Sequence, residues 1–152
     1  MWTVDARMMP RYGAEKMYRK AIELDPKNVL AHSYLGNVLK LSGDYEGAEQ
    51  KHRKAVELDP SNTTARNNLA DFLMERGDLG EAEKEIREAI KTNSQDALSH
   101  GTLGEILEKK NDIAGAVKQM EECVRLGDVP GNRGKARLAT LRAKLAKLET
   151  TQ

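Results

Sequence analysis

The sequence predicts an all-α chain of antiparallel helix pairs repeated with one fixed period. Three observations carry this. First, columns of residues recur every 34 positions: Ala14, Ala48, Ala82 and Ala116; Leu35, Leu69 and Leu103; Asp44, Asp78 and Asp112. Gly36, Ala70 and Gly104 keep the same step with small residues only. A period of this length marks stacked supersecondary units. Second, apolar residues inside each period fall three or four apart, the spacing of one helical stripe. Third, the stripes are punctuated by Gly43-Asp44, Gly77-Asp78 and Asn111-Asp112. Gly and Asn tolerate the left-handed conformation that closes a helix, and Asp caps the next one.

The elements come in order. Residues 1–10 predict a short N-terminal segment or truncated helix, limited by Pro10, with Trp2, Met8 and Met9 available to cover the first complete helix. If they do not cover it, an open apolar face invites self-association. Residues 11–28 form a half repeat, whose helix carries Ala14, Met17, Tyr18, Ala21, Ile22 and Leu24 and stops at Asp25-Pro26. The residue before a proline is pushed out of the helical region. Residues 29–62, 63–96 and 97–130 are three full repeats. Each holds a helix pair with a small residue on either side of the crossing, such as Gly36 and Ala48, where a bulkier side chain would force the axes apart. In the third repeat the pattern drifts: Cys123 replaces the alanine of Ala21, Ala55 and Ala89, and Ser94 stands in the proline column of Pro26 and Pro60. Pro130-Gly131 breaks the chain. Beyond it lie a last helix within 131–148 and a tail, 149–152.

That last helix has two faces. Leu138, Leu141, Leu145 and Leu148 share one; Lys135, Arg137, Arg142, Lys144 and Lys147 crowd the other. With Arg133, six cations stand against the single acid Glu149. The expected role is a cap that buries its apolar face and wets the basic one. A nucleic-acid or anionic-lipid helix is the alternative.

Composition narrows the function. Formal net charge is +1 and aromatic content 4%, against a nonspecific nucleic-acid binder or a base-stacking platform. One cysteine gives no disulfide framework and fits a reducing compartment, so a cytoplasmic protein is the expectation. No apolar run reaches a membrane span, and the first residues lack the apolar core of a signal peptide. No catalytic constellation, cofactor motif or phosphate-cradling glycine loop is present. His32 and His100 occupy one repeat column, but no second ligand type clusters with them. Both, like Cys123, are read as packing residues rather than metal ligands.

Small residues at the eighth, twentieth and twenty-seventh positions, Leu at the seventh and Pro at the thirty-second resemble the tetratricopeptide repeat, over about residues 11–130. The resemblance implies a right-handed superhelical solenoid and a non-enzymatic scaffold binding a partner segment in its concave groove. Stretches such as Leu35-Gly36-Asn37-Val38 are similar to the repeat region of protein O-glycosyltransferases, without any catalytic domain. Self-association through the N-terminal face and RNA binding by a related helical-repeat mode are the alternatives; the low aromatic content counts against the second.

The family's groove positions fall here on Ser33, Tyr34, Asn37 and Lys40, flanked by Leu30 and Leu41; on Thr64, Asn67, Asn68, Asp71 and Glu75, with Met74; and on Thr102, Glu105 and Glu108, with Leu98, Gly101 and Lys109. Amides in the middle and acids toward the C-terminal side imply a protein or peptide partner that is basic or polar. The acids also offer the basic last helix an internal place to dock. The chaperone-binding subfamily holds a peptide carboxylate with three cations and two asparagines. Asn37 and Asn68 match, but Ser33, Leu98 and Thr102 stand where the cations belong, and two amides do not replace three charge-assisted bonds. A peptide ending in a cytosolic chaperone's acidic tail is therefore expected to give no saturable calorimetric titration. A saturable isotherm abolished by Asn37→Ala would overturn this reading.

Overall fold

The computed structural model describes residues 9–127 and 133–151. Among them the chain forms eight α-helices and no strand. They divide into two compact units that meet within one helix, between Leu69 and Ala70. The first unit holds α1 (Met9–Leu24), α2 (Val29–Ser42), α3 (Tyr45–Leu58) and the start of α4 (Thr63–Arg76). The second holds the rest of α4, then α5 (Leu79–Thr92), α6 (Ala97–Lys109), α7 (Ile113–Arg125) and α8 (Arg133–Thr150).

Two helices run past their expected limits. The first begins at Met9, with Pro10 in its opening turn, where a missing N–H costs no helical bond. The last continues to Thr150. Trp2 and Met8, expected to cover the first helix, lie outside the described residues, as does the Pro130-Gly131 break.

The punctuation works as the sequence implies. Gly43 and Gly77 take φ of 88°, and Asn111 takes 64°. The amides of Asp44, Asp78 and Asp112 then reach back to the carbonyls of Leu39, Leu73 and Leu107, each at 2.9 Å, satisfying orphan groups of the helix end. The same three aspartates cap the next helix, accepting from the amides of Gly47, Glu81 and Gly115. Asn28 and Asn62 cap α2 and α4 by accepting from Ala31 and Ala65.

A second recurrent lock appears at the fourth repeat position. His32 Nε2 donates to the Pro26 carbonyl at 3.0 Å, Arg66 Nε to that of Pro60 at 2.8 Å, and His100 Nε2 to that of Ser94 at 3.1 Å. Each reaches six residues back and ties the start of a first helix to the turn before it. The two histidines are turn locks, and the loss of proline at Ser94 leaves the accepting carbonyl in place.

Packing in each unit rests on small residues. In the first, α2 lies against α3, with Ala48 and Ala55 fully buried. The His52 ring, also fully buried, sits under Gly36: a methyl there would come within 2.7–2.9 Å of three ring atoms. In the second, α6 lies against α7 over Ala116 and Cys123, and α7 carries α8. Leu138 and Leu141 of α8 are buried, while Leu148 remains half exposed. At 18 residues against 13, α8 outruns its partner. In α1, Ala14 and Ala21 are only half-buried, and Tyr12, Met17 and Leu24 are exposed.

These crossings set up a comparison. Alanine in place of a mid-helix glycine gains about 1 kcal/mol in helix propensity. At Gly104 the added methyl would meet the flexible end of Met120 at 3.0 Å, so Gly104→Ala should be near neutral or stabilising. At Gly36 it would meet a rigid buried ring, an overpacking that costs about 1–3 kcal/mol. Gly36→Ala is expected to be the more destabilising by urea denaturation, and equal midpoints would refute the close-approach account.

Candidate functional site

The second unit contains an open cleft of about 740 Å³. Four helices line it. Asp71, Met74 and Glu75 come from α4, and Leu98, Gly101, Thr102 and Glu105 from α6. Met120 and Cys123 of α7 contribute buried side chains, and Gly134, Ala136, Arg137 and Thr140 of α8 complete the lining. Helical periodicity explains the α6 set: residues 98, 101, 102 and 105 are three or four apart and share one face. Gly101 and Gly134 add no side chains to the walls.

Of the residues singled out from the sequence, Asp71, Glu75, Thr102 and Glu105 come together here. Glu108 does not line this cleft. It lies with Arg137, Lys144 and Lys147 in a second cavity of about 550 Å³. In the first unit, Tyr34 is exposed on α2, and Asn37 and Lys40 are half-buried. Leu30, Tyr34 and Leu41 form an exposed stripe there, and the Tyr34 ring stacks obliquely on Tyr18 at 5.6 Å. On α4, Thr64 is exposed and Asn68 half-buried. Ser33 and Asn67 are buried, at 0% and 2% exposure, so their side chains are not presented to a ligand. Asn67 instead donates to the Thr63 carbonyl on its own helix at 2.9 Å.

The α8 wall is the internal docking that the sequence offered, with the basic last helix set against acids of α6. Leu138 comes 35 residues after Leu103 rather than 34, so α8 continues the first-helix series with a one-residue slip. That offset, with Gly134, Ala136 and Thr140 as small side chains, was the available signal. Three of the basic residues of α8 are engaged with acids. Arg137 forks onto Glu108 at 2.9–3.0 Å and reaches Glu105 at 3.5 Å. Lys144 bonds the other oxygen of Glu108, and Arg142 holds Glu121 of α7 at 2.8 Å. Arg137, Arg142 and Lys144 are therefore neutralised internally. Glu108 belongs to the cap contact rather than to an acidic face open to a partner.

The Lys144 ammonium holds the Glu108 carboxyl below its ordinary value, with Arg137 adding to it, against partial burial that pushes the other way. His100 is held by Ser94 and faces Gln119 Oε1 at 2.8 Å. Among the described residues, no three His, Cys, Asp or Glu side chains gather as a metal-holding group.

Tetratricopeptide-repeat family models match residues 17–50, 39–106 and 97–126, an unbroken run from 17 to 126. The chain belongs to the tetratricopeptide-repeat family. No curated protein matches its sequence. Among solved structures, the crystal structure of MamA is similar with a TM-score of 0.74 at 20% identity, over 95% of this chain and 87% of that one. The pilF protein of Pseudomonas aeruginosa gives 0.79 at 26% identity, over 92% of this chain; this chain spans 65% of that one. The first repeat domain of Spaghetti (RPAP3), bound to the HSP90 peptide SRMEEVD, gives 0.72 at 22% identity, over 80% of this chain and 96% of that one. The fold of this family is a scaffold for protein–protein interaction.

The Glu108 contact gives a pH test. A carboxyl whose folded value is lowered stabilises in full above the ordinary value of 4.5 and loses that contribution as the pH falls through the lowered one. Hydrogen exchange of the α8 amides should therefore show more protection in the parent than in Glu108→Gln at neutral pH, with the difference fading in acid. Equal protection at neutral pH would show that the pairing contributes nothing.

Proposed function

We propose that this chain is a non-enzymatic protein-interaction module that holds an extended segment of a partner protein in the cleft of its second unit. The cleft itself supports the reading. It is open, large enough for several side chains, and mixes apolar walls at Met74 and Leu98 with polar groups at Asp71, Glu75 and Glu105. The exposed stripe of Leu30, Tyr34 and Leu41 gives the first unit a separate apolar contact surface. The chaperone peptide bound by the Spaghetti domain is not the expected ligand, because no cation stands at Ser33, Leu98 or Thr102. A cytoplasmic location is proposed on the single cysteine of the sequence, Cys123, the usage of a reducing compartment.

A second reading rests on α1. Ala48, Ala82 and Ala116 are fully buried, whereas Ala14 in the same column is half-buried beside exposed Met17 and Leu24. Such a face suits a second copy of the chain.

One experiment separates the two. Leu98 is 46% exposed on the cleft rim, so Leu98→Arg should leave the melting temperature nearly unchanged. A specific partner identified by capture should bind the parent and lose at least about ten-fold in affinity on the variant, the scale of a rim hot spot. If binding survives Leu98→Arg, the cleft is not the site. A mass that rises with concentration in sedimentation and falls with Met17→Glu would then favour self-association.

A further inference from the structure

The charges and the α8 contact together say what kind of segment the cleft accepts. Three carboxylates, Asp71, Glu75 and Glu105, line it against one cation, Arg137. That guanidinium comes from α8 and shows by its own position that a planar cation fits there. Its two attachments are unequal. Glu108 receives a close fork, but Glu105 is reached only at 3.5 Å, and both members of that pair are more than a third exposed. Glu108 also holds Lys144, so it keeps a cation whatever Arg137 does.

We propose, resting on the docking reading above, that the partner segment carries an arginine or lysine beside an apolar residue. Its cation pairs with Glu105 and displaces only the loose Arg137 contact there, and its apolar neighbour lies against Met74 and Leu98. Arg137 is thus an internal competitor. It stays on Glu108 when the segment enters, and no charge is left unpaired by the exchange. An acidic segment meets the like charge of Glu105 and is disfavoured.

The test uses two labelled peptides of equal length, one alternating arginine with leucine and glycine, the other with glutamate in place of arginine. Both are titrated by fluorescence anisotropy against the full chain at low salt. The arginine peptide should bind and the glutamate peptide should not. Arg137→Gln should tighten the arginine peptide by about three- to five-fold, the scale of a half-exposed ion pair. Glu105→Gln should weaken it by a similar factor. Arg142→Gln removes the same charge from the Glu121 pair, which does not line the cleft, and should change affinity by less than about two-fold. If Arg137→Gln melts early, Arg137→Met keeps the aliphatic stem and must give the same tightening.

Equal effects of the Arg137 and Arg142 substitutions would reduce the result to net charge and overturn the proposal, as would equal binding of the two peptides. Binding of neither peptide overturns the basic-residue reading alone. The docking reading falls separately, when a captured partner is indifferent to Leu98→Arg.

Discussion

The close approach of paired helices is the constraint on which the rest depends. Helix axes come together only where side chains are small, and here the crossing columns are filled by Ala48, Ala82 and Ala116, by Ala55, Ala89 and Cys123, all fully buried. Each such crossing fixes which stripe of a first helix turns inward and which turns to solvent. On α6 the outcome is that Leu103, Ile106 and Leu107 enter the core, while Leu98, Thr102 and Glu105 line the cleft. The Gly36–His52 contact is the same constraint with the sizes exchanged: a bulky ring on one helix demands the absence of a side chain on the other.

Turns contribute the second level of order. The left-handed residue and capping aspartate set the reversal inside each pair, and the fourth-position lock ties each pair to the turn before it. Histidine and arginine serve interchangeably at this lock, because His Nε2 and Arg Nε both offer an N–H that reaches a carbonyl six residues back. This accounts for the column of His32 and His100 without a ligand. The ring bond to the chain depends on the backbone carbonyl, which every residue has, and so the third repeat tolerates Ser94 where the others have proline.

The cap is where fold and function meet. Leucines 138 and 141 bring α8 onto α7, and Arg137, Arg142 and Lys144 then find acids on α6 and α7. The same arrangement closes one wall of the cleft. A single helix thereby packs on α7, pairs with Glu108, and sets an internal cation against the acids of the cleft. The likeness of 269 solved chains shows how widely the fold is shared, so the differences that matter for this chain lie in such side chains and not in the backbone.

By itself the sequence determined the period, the helix pairs, the turn chemistry and the small-residue crossings. Those features repeat, and repetition is legible in one chain because each copy checks the others. It also marked Asp71, Glu75 and Glu105, which sit on the outward stripe of their helices, and Thr102, which lines the cleft although buried. Only the tertiary structure decided the rest. Ser33 and Asn67 belong to groove columns by spacing yet are buried, since helical position gives a direction but not the height of the neighbours around it. Glu108 and Glu105 look alike along the chain, three residues apart on one helix. They differ in how α8 meets them, with a close fork and an ammonium on one carboxylate and a single loose contact on the other. The charge pattern offered the acids as a place for the last helix to dock, but ion pairs of this kind have no period, so which cation meets which acid was left to the tertiary structure.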